Sequence, residues 1–285
     1  VAYAEDVNEI FYRHHVRHHL FADDMQCTGH SKLSNVHEVT AGLGACVAAV
    51  NEWCASKRLQ LNPQKTEVMW FVSVTNLSKL SSAEKLLKVG PDSISPSAVV
   101  RDLGVLFDSE LNMKLHISRI TSVCFYHLRR LRAVRRQLGR EVTARLVSAF
   151  ILSRLDYCNA LLAELPASTL APLQRVMNAA ARLVCDLSSR DHVTPALQSL
   201  HWLPIKQRIE FKLCLLIHLA VNGKAPTYLK DIITTTASIP GRAANRSADN
   251  NDLVIQRTKL KFGQRAFSVA GPRIWNQVPK ELKTE

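Results

Sequence analysis

Phe21-Ala22-Asp23-Asp24 places two adjacent carboxylates in an apolar frame, with Leu20 before them and Met25 after them. Surface turns are often acidic, but a solvated turn has no need of such apolar flanks. A hairpin on a partly buried sheet does need them, because alternate strand residues face the core. The pattern predicts a strand, turn and strand over residues 18–29, with both aspartates at the turn. Two carboxylates directed at one point can hold divalent cations, so Asp23 and Asp24 are candidate metal ligands.

The segments around this hairpin predict an α+β unit. A short helix is expected over residues 5–16. Apolar residues recur at steps of three and four over residues 33–57, which predicts a long helix that covers the sheet. Asn62-Pro63 breaks the helical pattern, and residues 65–74 form a β-rich run. Strand, helix and strand in this order are typical of an antiparallel sheet with a packed helix.

After about residue 110 the chain is predicted to become mainly helical. A polar loop with a short strand near residues 86–89, and a strand over residues 99–107, precede this change. Helical periodicity, interrupted by Gly, Pro and polar turns, then predicts helices over 117–138, 141–162, 169–187, 205–221 and 226–233. A stretch rich in Ser, Thr, Ala and Asn over 234–252 is predicted to be mobile. We therefore predict three parts: 1–110, 111–233 and 234–285.

Composition favours a basic, soluble protein with a polyanionic partner. The chain has 285 residues, is 47% hydrophobic and carries 37 Lys and Arg against 24 Asp and Glu, which gives a formal net charge of +13. Such a charge attracts nucleic acid or an anionic membrane surface, and charge alone does not separate the two. No uninterrupted apolar run approaches the roughly 20 residues of a membrane-spanning helix, so we expect no membrane association.

The cysteines and the first residues predict an intracellular protein. The seven cysteines are widely spaced and contain no Cys-x-x-Cys pair, which argues against a disulfide framework and against a zinc site. The first ten residues include Glu5, Asp6 and Glu9 and lack the apolar centre of a secretory signal. We expect a nuclear or cytoplasmic location and no secretion.

An arginine-rich segment lies in the first predicted helices of the second half. Its residues are Arg119, Arg129, Arg130, Arg132, Arg135, Arg136, Arg140 and Arg145. Glu141 is their one acidic neighbour, and Leu128, Leu131, Val134 and Leu138 are predicted to form the opposite, apolar face. Guanidinium groups bind phosphates without reading base sequence. A charged face is often merely solvated, but the lack of compensating acids favours contact with nucleic acid.

The order of the motifs resembles that of the reverse transcriptases of non-LTR (LINE-type, jockey-like) retrotransposons. In that family a Tyr- or Phe-Ala-Asp-Asp hairpin is followed by a helix, an Asn-x-x-Lys-Thr segment, a Leu-Gly-Val-x-x-Asp strand and a helical thumb. Here the later motifs are Asn62-Pro63-Gln64-Lys65-Thr66 and Leu103-Gly104-Val105-Leu106-Phe107-Asp108. Further landmarks are Ser153–Asn159, Leu173–Arg182, His201-Trp202-Leu203-Pro204 and Phe267–Asn276. The resemblance covers nearly the whole chain.

The resemblance implies part of a polymerase palm, followed by a mainly α-helical thumb and C-terminal region. It implies that Asp23 is a direct Mg²⁺ ligand and that Asp24 helps to place two such ions. Lys65 corresponds to a lysine that neutralises or protonates the leaving pyrophosphate, and the alternative is a solvated charge at a strand end. Leu103, Gly104 and Val105 resemble the primer-grip hairpin of the family, where a small residue such as Gly104 lets the backbone approach the primer. The alternative for Gly104 is a β-bulge glycine.

The implied activity is RNA-directed DNA polymerisation by two-metal nucleotidyl transfer. The implied partners are an RNA template, a DNA primer and deoxynucleoside triphosphates. Two family elements lack a counterpart, namely the first catalytic carboxylate and a Gly- and Gln-containing loop that contacts template and nucleotide. Residues 1–10 resemble the helix after that loop, so we expect the chain to begin inside the palm. The alternative is a catalytically inactive retroelement remnant that binds nucleic acid or serves only as a helical interaction domain.

Overall fold

In the computed structural model, residues 6–62, 64–89, 92–241, 250–260 and 262–283 are described. The chain divides into two units, residues 1–111 and residues 112–285. The first unit mixes helices with small antiparallel sheets, and the described part of the second is helical apart from one isolated bridge. The chain is therefore of the α+β class, as predicted.

The first unit is built from short elements around one long helix. In chain order they are α1 (Val7–Arg13), β1 (Arg17–Phe21), β2 (Asp24–Thr28), α2 (Val36–Ser56), α3 (Val74–Leu77), α4 (Ser82–Lys85), β3 (Leu87–Val89), β4 (Asp92–Ile94), β5 (Val99–Asp102) and β6 (Val105–Asp108). A 3-10 turn, Leu33–Asn35, leads into α2. The strands form three separate two-stranded sheets, β1 with β2, β3 with β4 and β5 with β6, all antiparallel.

The apolar face of α2 builds the core beneath the first hairpin. Cys46, Val50 and Cys54 are buried against Val7 and Phe11 of α1. Partly buried side chains of the hairpin, among them Leu20, Met25 and Cys27, pack on the same cluster. The predicted helix that covers the hairpin is confirmed. Burial, with a smaller contribution from the nearby Cys46, raises the pKa of the Cys27 thiol to about 11, so this thiol stays protonated and unreactive at neutral pH.

One strand prediction in this unit was wrong, and a second was confirmed in part. Residues 65–74 are irregular, and Val68 makes only an isolated bridge to Pro96 because no neighbouring strand runs alongside it. The side chain of Trp70 turns inward instead, and its indole N–H donates to the carbonyl oxygen of Lys85 at 3.1 Å. Residues 99–107 form a hairpin rather than one strand, because Leu103 (φ 43°) and Gly104 (φ 86°) make a two-residue turn.

Helix α2 also bears on the expectation of no membrane span. Together with its 3-10 turn, Leu33–Ser56 is 24 residues long, has a mean hydropathy of 1.2 and is apolar enough to cross a membrane by length and composition. The helix itself was predicted over residues 33–57, but its length and composition were not recognised as those of a candidate span. The core helix of a soluble protein meets the same length and composition criteria. In this structure 22% of the apolar window is buried, and its buried residues pack on α1 and on the first hairpin.

The second unit consists of helices. They are α5 (Lys114–Val147), α6 (Ser153–Asp156), α7 (Ala167–Cys185), α8 (Thr194–Ser199), α9 (Ile205–Val221), α10 (Thr227–Lys230) and α11 (Phe267–Trp275). Gly139 has φ 70° and ψ 174° and kinks α5, which confirms the break predicted between 138 and 141. A π-helical turn, Ser148–Leu152, joins α5 to α6, and 3-10 turns lie at Asn159–Leu162, Thr236–Ser238, Gly263–Arg265 and Lys280–Lys283.

Helices α5 and α7 run parallel and form the centre of this unit. Their first turns face each other, since Lys114 and Ile117 of α5 line one groove with Ser168 and Thr169 of α7. At the other end, Arg135 of α5 donates from Nε to the carbonyl oxygen of Leu183 and from its terminal nitrogen to that of Val184, at 2.9 and 3.0 Å. The apolar faces between these two ends are buried.

Several landmarks of the family resemblance hold the helices of this unit together. Asp156 of α6 accepts two hydrogen bonds from the guanidinium of Arg208 on α9, at 2.6 and 2.7 Å. The side-chain oxygen of Gln174 accepts the first backbone N–H of α9, that of Ile205, at 2.9 Å. These bonds give the Ser153–Asn159 and Leu173–Arg182 stretches a packing role.

The C-terminal segment folds onto α9 rather than apart from it. Trp275 of α11 is buried with Ile217 and Leu253, and Lys283 makes a 2.7 Å ion pair with Asp252. Of the stretch predicted to be mobile, residues 242–249 lie outside the described residues. Residues 234–236 are bonded through their backbones to residues 252–254, so this part of the stretch is ordered.

Candidate functional site

The first hairpin presents its two aspartates at the tip. Phe21 pairs with Asp24 across the sheet, and Ala22 with Asp23 forms a two-residue turn in which Ala22 has φ 55°. The predicted hairpin is confirmed, with Asp23 in the turn and Asp24 as the first residue of β2. Both aspartates are exposed, and neither carboxylate has a hydrogen-bonding or ionic partner among the described residues. The Phe21 side chain beside them is 57% exposed.

A hydrogen bond ties this hairpin to the β5–β6 hairpin. The side-chain nitrogen of Gln26 on β2 donates to Oδ1 of Asp102, the last residue of β5, at 2.7 Å. Gln26 lies two residues after Asp24, on the same side of β2, and Asp102 directly precedes the Leu103-Gly104 turn. The two motifs are thus neighbours within the first unit. From the sequence, no role was predicted for Gln26 or Asp102, because no local pattern links two residues 76 positions apart.

The carboxylates at the hairpin tip do not form a two-ion site by themselves. Within the described part of the chain, no group of three or more His, Cys, Asp or Glu side chains could hold a metal ion. The carboxylate of Asp102 is engaged by Gln26. Mg²⁺ prefers an octahedral shell of oxygen ligands, and two carboxylates supply only part of such a shell. The residues present therefore do not fit the pair of ions that the resemblance implies.

Lys65 lies in an exposed turn that Asn62 organises. The backbone oxygen of Asn62 accepts the N–H groups of Lys65 and Thr66 at 3.1 and 3.2 Å, and also the Thr66 hydroxyl at 3.0 Å. Its side-chain oxygen accepts the N–H of Gln64 at 3.0 Å. The Asn-x-x-Lys-Thr pattern is therefore a turn with Asn at its first position. Among the described residues, the Lys65 ammonium has no bonding partner and is not joined to Asp23 or Asp24.

The arginines of α5 differ in the contacts that their side chains make. Arg135 is bound to the last carbonyls of α7, so it belongs to the packing of the two helices. Arg130 lies over the Tyr126 ring at 5.6 Å, Arg140 contacts the Cys185 sulfur at 3.8 Å, and Arg145 pairs with Glu141 at 2.6 Å. These contacts hold the guanidinium groups close to the helix surface.

Three arginines form an open row, which we call the arginine stripe: Arg129, Arg132 and Arg136. They are spaced by three and four residues, so they share one face of α5, and all are exposed. No carboxylate pairs with any of them in the part of the chain that the structure describes. Arg119 and Arg130 share a different face, since eleven residues make about three helical turns.

The apolar side of α5 is narrower than predicted. Leu128 and Leu131 are buried, but Val134 is 39% exposed and does not continue that face. His127, which stacks on Phe150 at 5.2 Å, has its pKa lowered by partial burial and then by the positive charges of Arg154 and Arg130. This histidine is therefore neutral at physiological pH, and the positive charge on this part of α5 comes from its arginines.

Gly104 occupies the second position of the β5–β6 turn. Its φ of 86° lies in the left-handed region, which glycine adopts without steric cost. The conformation of the turn therefore explains why glycine occupies this position. Because glycine has no side chain, the backbone at position 104 is also left uncovered.

Searches against protein-family models, curated proteins and solved structures find no match for this chain.

Proposed function

We propose that this chain is a palm and thumb portion of the RNA-directed DNA polymerase of a non-LTR retrotransposon. In this proposal its second unit binds the phosphate backbone of a primer–template duplex. The first unit carries the Asp-Asp hairpin and the turn that approaches the primer. The partners are an RNA template, a DNA primer and, in the intact enzyme, deoxynucleoside triphosphates.

The hydrogen bond between the two hairpins is the main observation in support of the proposal. Gln26 and Asp102 are 76 residues apart in sequence, yet their side chains are bonded at 2.7 Å. Because of this bond, the hairpin that bears the exposed aspartates lies next to the hairpin that bears the Leu103-Gly104 turn. A polymerase needs this arrangement, because the primer end must lie beside the carboxylates that direct the chemistry.

The arginine stripe supports the nucleic-acid part of the proposal. Arginine binds phosphate oxygens through two parallel N–H donors, and such contacts position a strand without reading its bases. The stripe is free of acidic partners among the described residues, and the whole chain carries a net charge of +13. Attraction to the phosphate backbone therefore requires no rearrangement of existing ion pairs.

A binding experiment tests this part directly. The dissociation constant for an RNA–DNA primer–template is measured for the wild type and for the triple variant Arg129→Gln, Arg132→Gln, Arg136→Gln. We expect the variant to bind at least about tenfold more weakly at low salt, since each charged hydrogen bond contributes about 1.5–3 kcal/mol at best. The matched control is Arg190→Gln, Lys224→Gln, Lys230→Gln, which removes the same charge from exposed positions. Equal weakening by the control would contradict a role for the stripe.

The incomplete metal site favours a second candidate, a nucleic-acid-binding retroelement remnant without catalysis. We expect no primer extension by this chain with Mg²⁺ or Mn²⁺, because the described residues provide no third ligand beside Asp23 and Asp24. The measurement is nucleotide incorporation on a primed RNA template. Template-dependent incorporation that disappears in Asp23→Ala would contradict this expectation. The genomic reading frame upstream separates the two candidates: an intact catalytic strand there favours the enzyme, whereas stop codons favour the remnant.

A further inference from the structure

Beyond its kink, α5 folds back and brings two distant aromatic rings together. Phe150, in the π-helical turn, stacks on His127, with the ring centres 5.2 Å apart and the ring planes 10° from parallel. A straight helix would separate these two residues by about 35 Å, at about 1.5 Å per residue. Gly139, with φ 70° and ψ 174°, adopts a conformation that only glycine adopts readily. The kink at Gly139 therefore permits the stack.

A third ring extends this pair, and two of the three rings are open to solvent. Tyr126 meets the His127 ring edge-on, with the ring centres 5.4 Å apart. The side chain of Tyr126 is 48% exposed and that of Phe150 is 39% exposed. One face of the Phe150 ring lies against His127, so the exposed part of this side chain comprises its other face and its edge. A planar ligand can stack on that face.

Two guanidinium groups are fixed beside the rings. Arg130 lies over the Tyr126 ring at 5.6 Å and donates to the Tyr126 hydroxyl oxygen at 3.1 Å. Arg154 donates to the backbone oxygen of Phe150 at 2.7 Å. Each of these bonds uses one of the several N–H donors of a guanidinium, so others remain for an acceptor in a ligand.

The positive charge around the rings is not balanced. In the part of the chain that the structure describes, Arg119, Arg130 and Arg154 make no ion pair. Burial lowers the pKa of His127, and the positive charges of Arg154 and Arg130 lower it further. Arg119 lies on the Arg130 face of α5, about 16 Å away along the helix. This surface therefore attracts anions.

The combination of exposed rings and guanidinium groups selects among anionic ligands. In an unpaired nucleic-acid strand, the bases stack on aromatic side chains while the phosphates bind arginines. An acidic peptide would engage the guanidinium groups and leave the rings without a partner. In a duplex the bases are stacked on one another inside the helix, so a ring on the protein surface does not reach a base face.

We propose that these five side chains, which we call the ring cluster, bind an unpaired stretch of nucleic acid: Tyr126, His127, Arg130, Phe150 and Arg154. One base stacks on the exposed face of Phe150, and the two guanidinium groups bind neighbouring phosphates. The arginine stripe lies on a different face of α5, so the two surfaces bind different parts of a nucleic acid, the stripe a duplex and the ring cluster a single strand. The ring cluster requires only an unpaired strand and does not rest on the proposed polymerase.

Two labelled probes test the stacking on the full chain by fluorescence anisotropy. One is a thymidine oligonucleotide of about 12 nucleotides, and the other is an abasic oligonucleotide of the same length, which keeps the phosphates and lacks the bases. We expect the wild type to bind the thymidine probe about tenfold more tightly, because stacking of a base on an aromatic ring contributes a factor of this order. Equal affinity for the two probes would overturn the proposal.

Substitutions at Phe150 test where the base stacks. Phe150→Leu keeps an apolar side chain against His127 but has no ring, so it should lose the preference for the thymidine probe. Phe150→Tyr keeps the ring and should retain that preference. The matched control is Phe211→Leu, which replaces a 59% exposed phenylalanine on α9 and should behave as the wild type. The site is overturned if the preference persists in Phe150→Leu, or if Phe150→Tyr or Phe211→Leu loses it as well.

A duplex and an acidic peptide complete the experiment. Phe150→Leu should bind a blunt RNA–DNA duplex as tightly as the wild type does, and a selective loss of duplex affinity in this variant would contradict a single-strand site. Binding of oligoglutamate as tight as that of the thymidine probe would overturn the nucleic-acid ligand in favour of an acidic peptide. A preference for the thymidine probe in a chain without affinity for the duplex would support the ring cluster and overturn the proposed function alone.

Discussion

Gly44 lies where α2 passes β3, and its missing side chain allows the two backbones to approach. A Cβ atom at this position would overlap the carbonyl oxygen of Lys88, which as a backbone atom has little freedom to withdraw. We predict that Gly44→Ala lowers the free energy of unfolding by about 1–3 kcal/mol, the usual cost of overpacking. The measurement is urea denaturation of the purified chain.

Gly42 provides the matched control for this prediction. It lies in the same helix two residues earlier, and a Cβ there would meet no atom within 4 Å. Alanine is a better helix former than glycine by about 1 kcal/mol, so Gly42→Ala should raise the free energy of unfolding by up to that amount. Equal effects of the two substitutions would contradict the close approach of α2 to β3.

Single residues were predictable from sequence where their neighbours in the chain decide their environment. Asp23 and Asp24 were placed at a hairpin tip because the alternation around them is local. The bond between Gln26 and Asp102 spans 76 residues, and no local pattern specifies it. Arg135 was grouped with its exposed neighbours, because only the tertiary contact with the end of α7 distinguishes it from them.

At the scale of one element, α5 combines packing and surface roles in adjacent arginines. Arg135→Gln removes two hydrogen bonds to the last turn of α7 and should lower the free energy of unfolding by about 1–3 kcal/mol. Arg136→Gln changes an exposed residue and should change the free energy of unfolding by no more than about 0.5 kcal/mol. The effects on primer–template binding should be reversed: Arg136→Gln should lower the affinity more than Arg135→Gln does. Denaturation and binding measured on the same two variants check this, and equal behaviour of the pair would contradict it.

Helices were predicted more reliably than strands, for a physical reason. A helix satisfies its backbone hydrogen bonds within one segment, so the spacing of apolar residues is enough to locate 205–221 or the break near Gly139. A strand needs a partner elsewhere in the chain. Residues 65–74 have strand-forming side chains but find no partner beyond the single bridge of Val68, and they remain irregular.

At the scale of the whole molecule, the chain combines two units with different tasks in the proposal. The division after residue 111 lies beside the predicted change of character at about 110. The predicted third part, 234–285, packs on α9 through Trp275 and Ile217 and belongs to the second unit. The burial of this part depends on contacts between residues distant in sequence, such as the ion pair of Lys283 with Asp252. Local composition does not predict such contacts.

The salt dependence of primer–template binding tests the central claim most directly. Each phosphate contact adds about 0.9 to the magnitude of the slope of log affinity against log salt concentration on a duplex. We predict that neutralising Arg129, Arg132 and Arg136 together reduces the magnitude of that slope by about 2 to 3, while the control variant at Arg190, Lys224 and Lys230 retains the wild-type slope. The same slope in the wild type and in the stripe variant would contradict the claim that α5 binds the phosphate backbone.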